Sequence, residues 1–323
     1  MLKRQRIKNG SCNAYAGCHE DPGHGNFEEK QAVVNGLRVN YLEAGSGSKV
    51  LLLIHGGVNN DAFSTWSKWN NTIEALSKNY KVFAPDLPGY GSSERPKDCT
   101  HEYYVNFIKN FVDGVIGSKV NLVGTSMGAG VALGYVLENQ DSVDSVVLVA
   151  PSCLGFTMDR KSRLGILIPN TLAASIVGFL AGHERLTRRI LGILRDDEKE
   201  EMVAKAVKLL DECPMRPAFS EYMRSEAATL KGFLRGRKEG LRTNYSDKMP
   251  SLNGSKIRLL FVEGDGDILV NKDEIRMATS NVAEAQVVVM DGCRHSPHFQ
   301  EPEKFNAVVN SFLAGQAVGE KVN

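Results

Sequence analysis

The sequence predicts an α/β fold: a mostly parallel central sheet with helices on both faces, and a helical segment inserted late in the chain. Three observations predict it. Continuous apolar runs, as strands buried on both faces show, recur at 50–57, 81–89, 120–128, 144–152, 256–264 and 285–292. Helical patterns separate them at 66–78, 102–116 and 127–139, and return near 271–280 and at 302–314. That alternation builds a parallel sheet covered on both sides. Residues 154–249 interrupt it, being helical and charged with no convincing strand.

Each segment has its own reason. Residues 1–31 start basic and continue polar and Gly-rich, so a flexible tail is expected. AVVNGLRVNYLEAG (32–45) alternates as a half-buried strand does and is broken by Asn35-Gly36, a hairpin signal. VLLLIHGG (50–57) is apolar throughout and ends in glycines. The division expected is a tail at 1–31, an α/β core at 32–153 and 250–316, and a helical insertion at 154–249.

Composition narrows the function. The 323 residues are 42% apolar and 24% charged, the balance of a globular protein with a sizeable core. A net charge of +1 gives no single-signed field to attract nucleic acid or an anionic membrane. Cysteines at 12, 18, 99, 153, 213 and 293 share no tight spacing, and no apolar secretory core precedes them. Reduced thiols in a cytoplasmic setting are therefore expected. Cys12, Cys18, His19 and His24 match no common zinc spacing, and no metal is expected there. The uncharged stretch 164–182 is interrupted by Pro169 and Asn170. That leaves about a dozen helical residues against the ~20 a span needs, so a buried helix beside a pocket is expected.

Gly124-Thr125-Ser126-Met127-Gly128 fits G-x-S-x-G, after an apolar strand and before a helix. Side chains at 124 and 128 would collide with the neighbouring strand and helix, while Ser126 is lifted clear on a strained turn. A serine hydroxyl needs a base to become nucleophilic. His295 follows the last apolar run and reaches the same sheet edge; His298, three residues on, competes as a base or lines the pocket. His101, at a helix start, reads as a surface residue. The base needs an acid to fix its tautomer, and the loop Glu263-Gly264-Asp265-Gly266-Asp267 offers Asp267, with Asp265 as a turn former. Oxyanion donors would be the backbone N–H of Met127 and that of Gly57, with Val58 second. His55 props their loop.

IHGG at 54–57, APDLPGYGSS at 84–93, GTSMG at 124–128, GDGD at 264–267 and HSPHFQEPEKF at 295–305 together resemble the α/β-hydrolase superfamily. The resemblance covers about 31–153 and 250–315. It implies Ser126 as nucleophile, Asp267 as acid, His295 as base, Gly57 and Met127 as oxyanion donors, and 154–249 as a lid. Asp86 falls in a segment that orders the loop after its strand. The sequence departs from the family where Arg294 stands in place of the Gly often found before the histidine. Relatives that open epoxides or remove halogens carry an aspartate at the elbow, which Ser126 does not match. His-Gly-Gly with Trp66 and Trp69 resembles carbon–carbon bond hydrolases of ring-cleavage products. Those usually continue Gly-Pro-Gly and carry Trp after the histidine, where this chain has Val58-Asn59-Asn60 and Ser296.

The expectation is a serine hydrolase of the esterase/lipase type, acting on a small ester or acyl substrate without metal or organic cofactor. In this reading Ile176 and Phe179 line an acyl site with His298. The second reading is carbon–carbon hydrolysis, with Arg185, Arg188 or Arg189 holding a substrate carboxylate. The third is a ligand receptor of hydrolase fold with slow or no turnover, since fold alone does not fix function.

Overall fold

A computed structural model describes residues 27–57, 65–96, 100–154, 243–267, 270 and 272–321. Among them, nine strands form one sheet in the order β1-β2-β4-β3-β5-β6-β7-β8-β9. The strands are β1 Phe27–Val34, β2 Leu37–Ala44, β3 Val50–Ile54, β4 Lys81–Pro85, β5 Val120–Thr125, β6 Val143–Val149, β7 Arg258–Gly264, β8 Gln286–Met290 and β9 Glu320–Lys321. From β4 through β8 every pairing is parallel. The flanking pairs β1–β2, β2–β4 and β8–β9 are antiparallel. The expected α/β architecture is the one observed.

The β1–β2 hairpin turns at Asn35-Gly36, whose φ angles of 54° and 77° are the left-handed pair a two-residue turn requires. Strand β1 starts at Phe27, so residues 27–31 are not part of a tail. The tail's polar composition runs on through Glu28, Glu29, Lys30 and Gln31, which an edge strand tolerates because one of its sides faces solvent.

The helices are α1 Asn70–Leu76, α2 His101–Phe111, α3 Met127–Glu138, α4 Lys272–Thr279, α5 Pro297–Gln300 and α6 Pro302–Leu313. Thr100 caps α2 by accepting from Tyr103 N–H. Alternation along the central strands divides two cores. Leu52 and Ile54 of β3, Leu122 of β5 and Phe261 of β7 join Phe107 of α2 and Val131 of α3 on one face. Leu51 and Leu53, Val123 and Leu260 meet Trp69, Ile73 of α1, and Phe305 and Val309 of α6 on the other. Each such side chain contributes about 1.5–3 kcal/mol on burial.

The core also resumes earlier than expected after the interruption. Tyr245 and Met249 are buried, and the 3₁₀ turn Ser246–Leu252 packs on α3. Tyr245 N–H donates to Cys153 C=O at 2.8 Å, so the chain re-enters beside the point where it left. Residues 243–249 therefore belong with the core, a boundary hidden by their polar composition. The rest of the insertion, with Ile176 and Phe179, lies outside the described residues, as do residues 1–26 and Val58.

Candidate active site

Ser126 directly follows β5 and precedes α3, with φ 53° and ψ −117°. Such a conformation costs a non-glycine residue on the order of 1–3 kcal/mol and persists only when its surroundings fix it. They do so on several sides. Ser126 N–H donates to Val149 C=O, and Ser126 C=O accepts from the N–H groups of Ala129, Gly130 and Ser152. The Ser152 hydroxyl donates to the same carbonyl at 3.3 Å. The two motif glycines are required by space. A Cβ on Gly124 would lie 2.5 Å from the Gly128 carbonyl oxygen, and one on Gly128 would lie 2.4 Å from the carbonyl oxygens of both Ile54 and His55.

Loops from three other parallel strands converge on this serine. His295 Nε2 is 3.0 Å from Ser126 Oγ, and His295 Nδ1 is 2.9 Å from Asp267 Oδ2. The Asp267 side chain is 2% exposed and that of His295 25%. A carboxylate facing Nδ1 keeps the proton there, leaving the Nε2 lone pair for the serine hydroxyl. Asp265 is exposed at the turn and stands outside this line of groups.

Two contacts hold the acid loop against the base loop. Gly266 N–H donates to Cys293 C=O at 2.8 Å, and a Cβ on Gly264 would lie 2.1 Å from the Arg294 carbonyl oxygen. Arg294 N–H donates to Gln300 Oε1 at 2.7 Å, which holds the turn where relatives often carry glycine.

The loop after β3 lies against the elbow. A Cβ on Gly56 would meet the Thr125 carbonyl oxygen at 2.8 Å and Ser126 Cβ at 3.0 Å. Met127 is the first residue of α3, so its N–H has no acceptor within the helix. His55 is fully buried and bridges loops: its Nδ1–H donates to Gly56 C=O, and its Nε2 accepts from Leu87 N–H. Burial holds its pKa down to about 3, so the ring stays neutral in that role.

Comparison with known proteins places the fold in a family. The α/β hydrolase fold model matches residues 49–302. The chain belongs to that family. The 2-hydroxymuconate semialdehyde hydrolase of Pseudomonas sp. strain CF600 is 25% identical over 288 residues, covering 88% of this chain and 93% of that one. The 2-hydroxy-6-oxo-6-phenylhexa-2,4-dienoate hydrolase of Burkholderia cepacia is 25% identical over 284 residues, covering 87% and 93%. Among solved structures, a meta-cleavage product hydrolase of Pseudomonas fluorescens has a TM-score of 0.65 at 22% identity, covering 88% of this chain and 97% of that one. A thermophilic esterase of Thermogutta terrifontis has 0.63 at 17%, covering 89% and 98%. These two structures share the fold.

Within this α/β hydrolase, two histidines sit differently from a simple reading of sequence. His298 is 4% exposed; its ring centroid lies 4.5 Å from Trp69 and 5.9 Å from Phe305. Burial lowers its pKa to about 3. The contacts the structure gives it are aromatic packing. His101, expected at the surface, is buried, with Nδ1 3.9 Å from Cys153 Sγ and its ring 5.6 Å from Tyr245. It opens α2 on the side that packs against α3, which a position at a helix start could not reveal.

The roles of Ser152 and Gln300 escaped sequence reasoning: Ser152 meets the Ser126 carbonyl from 26 residues away, and Gln300 reaches back across the turn to the Arg294 N–H, and no local pattern marks either. Among the described residues no helix is long and apolar enough to cross a membrane.

Proposed function

We propose that this α/β hydrolase cleaves carboxylic esters through an acyl-enzyme on Ser126. The observation that carries the reading is the unbroken line Ser126 Oγ–His295–Asp267, with hydrogen-bond distances of 3.0 and 2.9 Å. His295 Nε2 takes the hydroxyl proton as Oγ bonds to the ester carbonyl carbon, and Asp267 stabilises the imidazolium. The N–H groups of Gly57 and Met127 receive the oxyanion. The tetrahedral intermediate collapses by breaking the carbon–oxygen bond, and the proton on His295 passes to the leaving alcohol. Water then adds by the same route, giving the acid and restoring Ser126. No step requires a metal or organic cofactor.

A panel of p-nitrophenyl esters with graded acyl length, with fluorophosphonate labelling, tests this. Ser126→Ala is expected to abolish labelling and to lower kcat by about 10⁴–10⁶. Retention of more than about a hundredth of wild-type kcat would remove Ser126 from the mechanism. The uncharged stretch 164–182 supports an apolar acyl site. Ile176→Asp or Phe179→Asp should raise KM for octanoate more than for acetate esters. Each buried methylene contributes about 0.8 kcal/mol, so equal loss on both esters would sink that assignment.

Carbon–carbon hydrolysis of a ring-cleavage-type diketone acid is the second reading. It is favoured by curated relatives named for such substrates that cover most of the chain. A 2-hydroxy-6-oxo-dienoate in the same panel separates the two: turnover of that substrate at a higher kcat/KM than any ester would reverse their order.

A further inference from the structure

We infer that the Tyr90 ring is the spacer that sets the separation of the two oxyanion donors, Gly57 and Met127. The inference rests on the serine-hydrolase reading above and names a positioning residue for it. The two donors come from different loops, one after β3 and one opening α3, and no covalent link fixes their spacing. An oxyanion site works only when both N–H groups meet one oxygen at about 2.7–3.1 Å.

Tyr90 touches both. A Cβ on Gly57 would stand 2.5 Å from Tyr90 Cε1, 3.0 Å from Cζ and 3.2 Å from Oη, so the ring edge lies directly on the Gly57 backbone. The hydroxyl on that same edge is 3.6 Å from Met127 Sδ, the thioether sulfur of the residue whose N–H opens α3. The ring is only 3% exposed although its residue belongs to a Gly-rich turn.

The ring is also fixed from behind. His55 meets it edge-on at 5.2 Å between centroids, and Tyr104 lies at 6.3 Å. Tyr104 Oη donates to Pro88 C=O, Tyr90 N–H to Leu87 C=O, and Ser93 N–H to Tyr90 C=O. His55 accepts from Leu87 N–H, so the side chain that props the Gly57 loop also holds the turn carrying Tyr90. This contact gives a reason for glycine at 57: any side chain there would occupy the volume of the ring.

Tyr90→Leu and Tyr90→Phe, assayed on a p-nitrophenyl ester with active sites titrated by fluorophosphonate, test the inference. Removing the ring should lower kcat about 30- to 100-fold with KM within about threefold, somewhat less than loss of a whole donor. The titrated fraction of active sites should stay unchanged. Affinity for an aryl boronic acid, which forms a tetrahedral adduct, should fall in parallel with kcat/KM. Tyr90→Phe keeps the ring edge on Gly57 and gives up only the hydroxyl contact with Met127 Sδ, so it should stay within about threefold of wild type.

Should Tyr90→Leu fail to fold, Gly57→Ala serves: it should lower kcat in the same manner, and Tyr90→Leu should restore part of that loss by making room. Unchanged kcat in Tyr90→Leu, a loss confined to KM or to active-site titre, or an equal loss in Tyr90→Phe would overturn the spacer. Ser126→Ala keeps the two readings apart. If it retains activity the serine mechanism fails; if it is inactive while Tyr90→Leu is normal, only the spacer fails.

Discussion

His295 and His298 are three residues apart and present the same functional group, yet their surroundings separate them. His295 reaches Ser126 on one side and Asp267 on the other. His298 is enclosed by Trp69 and Phe305, with its Nδ1 buried and unpartnered. His295→Ala is therefore expected to lower kcat by at least about 10², the lower end of what general base catalysis supplies. His298→Ala should cost less than about tenfold in kcat, with its main effect on thermal stability. A larger kcat loss at 298 than at 295, measured on the ester panel, would reverse the two roles. The sequence left these histidines in competition because both follow the same apolar run. The deciding difference is which element each faces, and that depends on α5 turning His298 inward.

At the scale of elements, the turn after β4 is held by one carboxylate. Asp86 Oδ1 accepts from Trp66 N–H at 2.9 Å, and Oδ2 accepts from Ser92 N–H and from Asn40 Nδ2. Gly91, at φ +50°, has no room for a Cβ, which would lie 2.4 Å from Asp86 Oδ2. This network joins β2, the β4 turn and the 3₁₀ turn Trp66–Trp69. Asp86→Asn would set an amide N–H₂ against donors wherever it is placed, leaving at least one unsatisfied. The expected cost is about 1–3 kcal/mol, read from a denaturant midpoint. An unchanged midpoint would mean that the turn is held by its backbone bonds instead. The motif D-x-P-G-x-G-x-S marked this segment as structural. The partners Asn40 and Trp66 were not legible, since they come from positions well upstream.

At the scale of the molecule, buried histidines among the described residues make stability depend on pH. His55 and His298 are lowered to about 3, and His101 to about 4, each chiefly by burial. Their unfolded value is near 6.5, so below that pH the unfolded chain binds protons that the folded chain refuses. Stability is therefore expected to fall as pH drops from about 6.5 toward 4. The slope is about 1.4 kcal/mol per pH unit for each histidine fully engaged. Asp86 acts oppositely. Burial raises it to about 6, so between 6 and 3.8 the folded state holds the proton more tightly. Among these described groups three histidines outweigh one carboxylate, and their net direction is loss in acid. Urea midpoints between pH 7 and 4 check this, with His298→Phe removing one histidine's share of the slope while keeping an aromatic ring. A slope equal to wild type in that variant would show that His298 takes up its proton in the folded state.

What the sequence determined by itself was the order of elements and the chemical identity of the edge. Apolar runs of strand length, glycines at their ends and helical periodicity between them are local properties, and each requires only its own residues. Ser126 was legible because its turn needs glycine on both sides, and both glycines are close in sequence. The tertiary structure decided what lies between distant segments. It brought Asp267 to His295 through the contact of Gly264 with Arg294, set Ser152 against the Ser126 carbonyl, and laid the Tyr90 ring on Gly57. It also drew Phe27 and Tyr245 into a core that their polar neighbours concealed. The physical reason is the same throughout. Periodicity reports which face of a segment avoids water, whereas a close approach between two backbones depends on the register of the whole sheet and leaves no local trace.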